Sequence, residues 1–385
     1  ARRSPVASKV PKVGAGELHT LFDFLRYAVS RFNAAKLVFA HGTTDPIAEA
    51  AFLIAETLHL HPDQFENFAT ARVTLAEGKQ ILDLIERRIA TRKPAAYLVN
   101  KVYMRGLPFY VDERTIVPRS FIGELLDSHF GGDEDGTSLI GDPAEVESVL
   151  DLCTGSGCLA ILAARHFANA AVDAVDISKD ALEVAARNVA DHGLDDRLTL
   201  YRGDLFKPLG DNSYDLIISN PPYVDAEGMA SLPRECRAEP KIAFDGGPDG
   251  LDIVRRLLDE AKQHLTPQGG LLCEIGRGRD NLEAAYPNLP LLWLDTEDSE
   301  GEVFWIAAAE AVDIGGNRPD VRLAQALGPG RHHAKRAVVN DPADGGLVWG
   351  AALVVEPHRV GEVRRALGPV AGAVLAMAGN AVLGE

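Results

Sequence analysis

Asn220-Pro221-Pro222-Tyr223 carries more chemical potential than any other tetrapeptide in this 385-residue chain. It follows the apolar run Tyr214-Asp215-Leu216-Ile217-Ile218-Ser219, so it reads as the exit of a β-strand. The two prolines fix φ and carry no N–H, which keeps the Pro221 carbonyl out of a regular ladder and free to accept. The Asn220 side-chain oxygen is a second acceptor beside it. Two such acceptors suit a planar nitrogen with two N–H bonds, either a carboxamide or the exocyclic amine of a base. An amide nitrogen is a weak nucleophile because its lone pair is delocalised. Holding both of its N–H bonds while the lone pair faces an electrophile such as a sulfonium methyl calls for positioning and acceptors, not for a strong base. Tyr223 would wall such a pocket or stack on a base.

A second constellation lies upstream. The run Val149-Leu150-Asp151-Leu152 enters Cys153-Thr154-Gly155-Ser156-Gly157-Cys158 and then a helical pattern. Glycines at the carboxyl end of a strand let backbone approach a nucleotide-type ligand. About twenty residues on, the next strand ends in Asp176, the place of a ribose-binding carboxylate, with Ser178 available to cap the following helix. Ala160 occupies the third glycine position of the dinucleotide fingerprint, a tolerated variant, so the glycine pattern leaves a nicotinamide dinucleotide open. Asp204 and Leu205 close a third strand, where a carboxylate and an apolar neighbour suit adenine.

These strand ends need a parallel sheet to bring them together. From Ser148, short apolar strands alternate with helices, and a closing pair near residues 289–296 and 301–308 is expected to be antiparallel. The fold class is therefore α/β, with a Rossmann-like, mostly parallel sheet over 147–309. Before it, helical periodicity over 17–32 and 45–60, and a Thr74/Glu77 capping box opening a helix to about Thr91, define a small helical domain at 17–93. Residues 94–146 read as a linker, with a hairpin of 96–103 and 108–111 turning at Arg105-Gly106 and acting as a hinge. Residues 1–16 read as a mobile tail, and 310–385 as an extension with no functional reading.

The hydrophobic fraction of 46% and charged fraction of 25% are those of a soluble globular protein. No run spans a bilayer and no export signal is visible, so a cytoplasmic protein without membrane contact is expected. Cys153, Cys158, Cys236 and Cys273 are irregularly spaced, which favours buried small residues over a disulfide framework or a metal site. A net charge of −17 disfavours direct nucleic-acid binding and suits a basic protein partner, although it equally serves solubility.

Asp151 to Gly157, Asp176, Asp204-Leu205-Phe206 and Asn220 to Tyr223 together resemble the N(5)-glutamine methyltransferases related to HemK. Phe109 to Arg114, Val117-Pro118-Arg119-Ser120, Ile122 to Leu125, Tyr223 to Glu227 and Leu232-Pro233 look like the branch called PrmB, over roughly residues 17 to 308. The resemblance implies a seven-stranded class I fold after a helical substrate-recognition domain. It also implies S-adenosyl-L-methionine as cofactor and ribosomal protein L three, in the cytoplasm, as substrate. Release factors are the rival substrate, and adenine-amine methylation or a non-catalytic role in ribosome assembly the distant alternatives. It further implies that Gly155 and Gly157 hold the methionine end of the cofactor, Asp176 the ribose, and Asp204 and Leu205 the adenine. Asp151, Thr154, Ile177 and Asn220 join that set. Asn220, Pro221, Pro222, Tyr223 and Glu239 form the substrate side, and Arg119 approaches the cofactor or the loop, or else makes a structural salt bridge.

Overall fold

The computed structural model describes residues 11–41, 43, 45–131 and 138–311. Most of the expected N-terminal tail, and all of the C-terminal extension beyond Ala311, lie outside the described residues. The chain opens with a helical module: α1 (Leu21–Ala35), α2 (Pro46–Thr57), the single turn α3 (Phe65–Phe68), α4 (Leu75–Thr91) and α5 (Ala95–Val99). Helix α1 starts later than apolar spacing predicts, because Thr20 and Asp23 form the capping box and fix the first turn there. Thr74 and Glu77 cap α4 in the expected way. Phe24, Phe32, Ile54, Phe65, Ile81 and Ile85 make the module's own core. Inside it, Arg88 Nε lies 2.7 Å from Glu49 Oε1 with both side chains excluded from water. Burial pushes the Glu49 carboxyl above its usual range, and Arg88 pulls the other way.

Strands β1 (Val102–Met104) and β2 (Leu107–Phe109) form the hairpin, with Arg105 and Gly106 both at positive φ as a two-residue turn requires. The strand expected over 96–103 begins later: residues 96–99 lie in α5, because Pro94 opens that helix instead of merely ending α4. The segment expected to act as a hinge packs on the main sheet, where Val102, Met104, Phe109, Val111 and Val117 share one core with Leu125 of α6 (Ile122–His129).

The main sheet is built from β3 (Ser148–Leu152), β4 (Ala171–Asp176), β5 (Leu198–Arg202), β6 (Tyr214–Ser219), β7 (Leu265–Glu274), β8 (Leu292–Leu294) and β9 (Val303–Ala307). Helices α7 (Cys158–His166), α8 (Lys179–Asp191), α9 (Ala226–Ser231), α10 (Asp252–Ala261) and α11 (Arg279–Ala285) connect or flank these strands. The strand order is β5-β4-β3-β6-β7-β9-β8, parallel except that β9 runs antiparallel to both β7 and β8. Its central strands β3, β6 and β9 are buried on both faces, and each face of the sheet has its own apolar core, as a doubly wound sheet demands. From β3 the chain winds outward through β4 and β5, then returns to place β6 on the other side of β3. The direction of winding therefore reverses between β3 and β6, and a crevice opens at their carboxyl ends. Cys153–Gly157 leaves β3 at that crevice, and Asn220–Tyr223 leaves β6.

Candidate active site

A cavity of about 200 Å³ occupies the crevice. Cys153, Gly155, Asp176, Ile177, Asp204, Leu205, Asn220 and Pro222 line it, as do Arg114, Thr115 and Ile116 from the linker and Pro240, Ile242 and Ala243 from the segment after α9. Two strand exits are bent sharply to form the wall. Cys153 and Leu205 have φ of 62° and 52°, unusual for residues with side chains, and each turns its strand exit toward the cavity.

Asp176 anchors the glycine turn. Its Oδ2 accepts the Gly155 N–H at 2.8 Å and its Oδ1 accepts the Ser178 N–H at 2.8 Å. Ser178 itself caps α8 through its hydroxyl, so Asp176 is spared that role. Burial raises the Asp176 carboxyl pKa against the pull of those backbone donors. Gly155 has φ of 57° and open space where a Cβ would sit, in the cavity wall. Gly157 does not line the cavity: a Cβ there would meet Ala185 of α8 at 3.2 Å, so it serves helix packing.

Asp151 and Thr154 lie beneath the turn and outside the lining. Thr154 donates its hydroxyl to Asp151 Oδ2 at 2.5 Å, and the Ala160 N–H donates to the same oxygen. Burial drives the Asp151 carboxyl up to about 7. Asp204 is gripped by Lys207 at 2.6 Å and Arg256 at 2.7 Å, which lower its pKa. Thr115 in the cavity wall has a buried hydroxyl oxygen without a hydrogen-bond partner among the described residues. A buried polar atom in a cavity wall seeks a ligand partner. Ribose hydroxyls facing Asp176 and an adenine between Ile177 and Leu205 fit such a cavity.

The Asn-Pro-Pro-Tyr wall is held from farther away. Asn220 Nδ2 donates to the Arg119 carbonyl at 3.1 Å, which turns its Oδ1 the other way. No backbone N–H among the described residues donates to the Pro221 carbonyl. Pro221 is buried and outside the lining. Tyr223 donates its hydroxyl to Glu274 Oε1 at 3.3 Å and does not line the cavity. Glu274 Oε2 also accepts the Ser120 hydroxyl at 2.6 Å and the Phe121 N–H at 3.0 Å; burial nonetheless pushes this carboxyl up to about 7. Close backbone approach needs glycine around Tyr223. A Cβ on Gly246 would sit 2.7 Å from Tyr223 Cα, one on Gly276 2.6 Å from its ring, and one on Gly250 (φ 80°) would run into its carbonyl oxygen.

Glu239 is placed otherwise than expected. Its neighbour Pro240 lines the cavity, but the Glu239 carboxylate is buried: its Oε1 accepts the Val117 N–H at 2.9 Å and Arg119 Nη1 at 3.2 Å, and its Oε2 lies 3.0 Å from His41 Nε2 without hydrogen-bond geometry. It joins protein segments and has no access to the cavity. His41, Thr115, Ile116 and Ile242 do not stand out in the sequence as site residues, while Cys153 belongs to the glycine-turn motif although its side chain reads as a buried small one. No local motif marks the first four positions, since contacts distant in sequence bring them to the site.

A doubly wound sheet whose switch point carries a glycine turn, a following acidic strand end and an Asn-Pro-Pro-Tyr exit defines a Rossmann-like class I methyltransferase. Residues 136–232 match the family described as Methyltransferase small domain. The chain is 77% identical over 308 residues to a ribosomal protein uL3 glutamine methyltransferase of Bradyrhizobium diazoefficiens, covering 80% of this chain and 97% of that protein. It is 52% identical to proteins of the same description from Bordetella pertussis (74% of this chain, 94% of that protein) and Burkholderia pseudomallei (77% and 97%). The chain belongs to the ribosomal protein uL3 glutamine methyltransferase family. Among the described residues, no helix is long and apolar enough to cross a membrane.

Proposed function

We propose that this enzyme methylates the side-chain nitrogen of a glutamine in ribosomal protein uL3, in the cytoplasm where ribosomes are assembled. The observation that carries the reading is the Asn220 amide, whose Nδ2 is committed to the Arg119 carbonyl so that its Oδ1 is the group left to accept. Relatives that are 77% and 52% identical bear the uL3 glutamine methyltransferase description, which supports the same substrate here. When bound, S-adenosyl-L-methionine supplies an electrophilic methyl group. Asp176 and Ile177 would hold its ribose, Asp204 and Leu205 would lie beside its adenine, and Gly155 would allow close approach of its methionine end. Asn220 Oδ1 and the Pro221 carbonyl each take one N–H of the glutamine amide and leave its nitrogen lone pair aimed at the carbon. As the methyl group passes to nitrogen its bond to sulfur would break, the electron pair staying on sulfur as a neutral thioether; the nitrogen becomes positively charged, the two acceptors stabilise that charge, and one proton then leaves to solvent. Pro222 and Tyr223 keep the loop rigid. The net charge of −17 favours approach of a basic protein substrate.

Incubation with methyl-labelled cofactor and, separately, purified uL3 and a release factor tests the proposal. One labelled glutamine in uL3 is expected, with the release factor unlabelled; the reverse pattern would overturn the substrate. Asn220→Ala should lower the rate at least about a hundredfold while cofactor affinity stays within about threefold. Full activity in that variant would refute the amide-holding role.

A further inference from the structure

The helical module reaches the catalytic loop through one buried chain of contacts. His41 lies between α1 and α2, with its side chain wholly excluded from water, and Nε2 is 3.0 Å from Glu239 Oε2, itself fully enclosed. Glu239 Oε1 accepts both the Val117 N–H and Arg119 Nη1, so one carboxylate fixes the path of residues 117–119. The Arg119 carbonyl then accepts Asn220 Nδ2. At its far end this segment is pinned by Glu274 through Ser120 and Phe121. A stretch of backbone clamped by two buried carboxylates therefore decides where the Asn220 oxygen points, and one of those carboxylates is held by the helical module.

We infer that His41 and Glu239 are positioning residues, which make the aim of Asn220 depend on how the helical module is seated against the turn at residues 234–239. This rests on the reading of Asn220 as the amide-holding group. The seating is reinforced next door, where Glu235 Oε1 binds Arg92 Nη1 at 2.8 Å and the Val38 N–H at 3.2 Å. Cys236 Sγ lies 3.5 Å from His41 Nε2, so His41, Cys236 and Glu239 also form a cluster of metal-binding type. The Arg119 guanidinium, 3.2 Å from the other oxygen of Glu239, already offsets the carboxylate charge, and the metal arm of the test below separates a charge contact from an ion site. The consequence is a coupling: a protein substrate that docks on the helical module tightens the grip on Glu239 and, through Arg119, the orientation of Asn220.

The test uses the full chain with its side-chain asparagine amides isotopically labelled, comparing His41→Ala and His41→Gln, the second keeping an N–H within reach of Glu239. His41→Ala should lower kcat with uL3 about tenfold to a hundredfold, leave KM and cofactor affinity within about threefold, and shift or broaden the Asn220 side-chain resonance; His41→Gln should restore both readouts. Wild-type kcat or an unmoved Asn220 resonance in His41→Ala overturns the inference. So does a joint loss of kcat and cofactor affinity that His41→Gln does not rescue, or a stoichiometric metal ion that His41→Ala removes. If His41→Ala does not fold, Glu239→Gln decides. It keeps an acceptor for Val117 and weakens the hold on Arg119, so kcat should fall about tenfold, and an unchanged kcat overturns the inference. The Asn220 resonance is read without substrate, so failure here leaves the proposed reaction intact, whereas a fully active Asn220→Ala would refute the amide-holding role and the kcat effect built on it while leaving the His41-dependent Asn220 resonance as a separate readout.

Discussion

The two walls of the cavity are built by opposite means. The glycine-turn wall is local: Asp176 reaches back to Gly155 across 21 residues, and Cys153, Gly155 and Leu205 set its shape through their own left-handed backbones. The Asn-Pro-Pro-Tyr wall is remote: Asn220 leans on Arg119, Val117 on Glu239 and Ser120 on Glu274, across separations of 101, 122 and 154 residues. A ligand common to many enzymes is met by short, self-contained turns. The wall that must aim a single amide is instead braced by several distant segments of the chain.

That contrast sets the expected consequences of substitution. The largest effect should come at Gly250, on the remote wall. Gly250→Ala combines an unfavourable φ with a clash against the Tyr223 carbonyl, so we expect a stability loss on the order of 3 kcal/mol, read by urea unfolding, and methylation reduced at least about a hundredfold. An Ala variant with wild-type activity would show that the remote bracing is dispensable.

Next comes pH. Glu274 titrates near 7 in the folded protein against an ordinary value of 4.5. The native state therefore holds a proton that the unfolded chain releases, and the stability it contributes is complete below about 4.5 and lost as pH rises through about 7. Glu274→Gln should remove a fall of about 3 kcal/mol in unfolding free energy across that window, while the slope due to Asp151 persists in both proteins. Equal pH slopes in the two proteins would show that Glu274 is not the buried titrating brace.

On the local wall the effects should be smaller and confined to the cofactor. Asp176→Asn is expected to weaken cofactor binding by about tenfold to a hundredfold, and Gly155→Ala by about tenfold, with kcat at saturation within about threefold, measured by calorimetry and steady-state kinetics. A drop in saturated kcat equal to the drop in affinity would erase the division between the walls.

The same division explains what could be read from the sequence. The alternating strands, the antiparallel closing pair, the capping box at Thr74 and the cap at Ser178 are local patterns, and the structure has them. Gly155 and Asp176 were legible because each sits at a fixed offset from a strand end. Gly157 belongs to the same motif, yet only the approach of Ala185 shows that it packs a helix. Glu239 comes to notice through the family resemblance, and sequence could not say which way its carboxylate points. Its partners, His41 and Val117, lie on segments that only the tertiary fold brings together. The helical start of the strand expected over 96–103 has a simpler cause: one turn of helix opened by a proline leaves an apolar run too short to show a period.

One side chain joins the hairpin segment to the glycine turn without any charge. Asn188, wholly buried on α8, accepts the Tyr110 N–H and donates to the carbonyls of Tyr110 and Ser156. Its amide completes the backbone pairing of Tyr110 as a neighbouring strand would, and the same group touches the turn that faces the cavity. Dissolved ions weaken exposed charge pairs such as Arg105–Asp127 at the hairpin's surface, but they have little purchase on a neutral, enclosed amide. The registration of these two segments is thus insulated from the ionic surroundings in which a basic ribosomal substrate would have to be met.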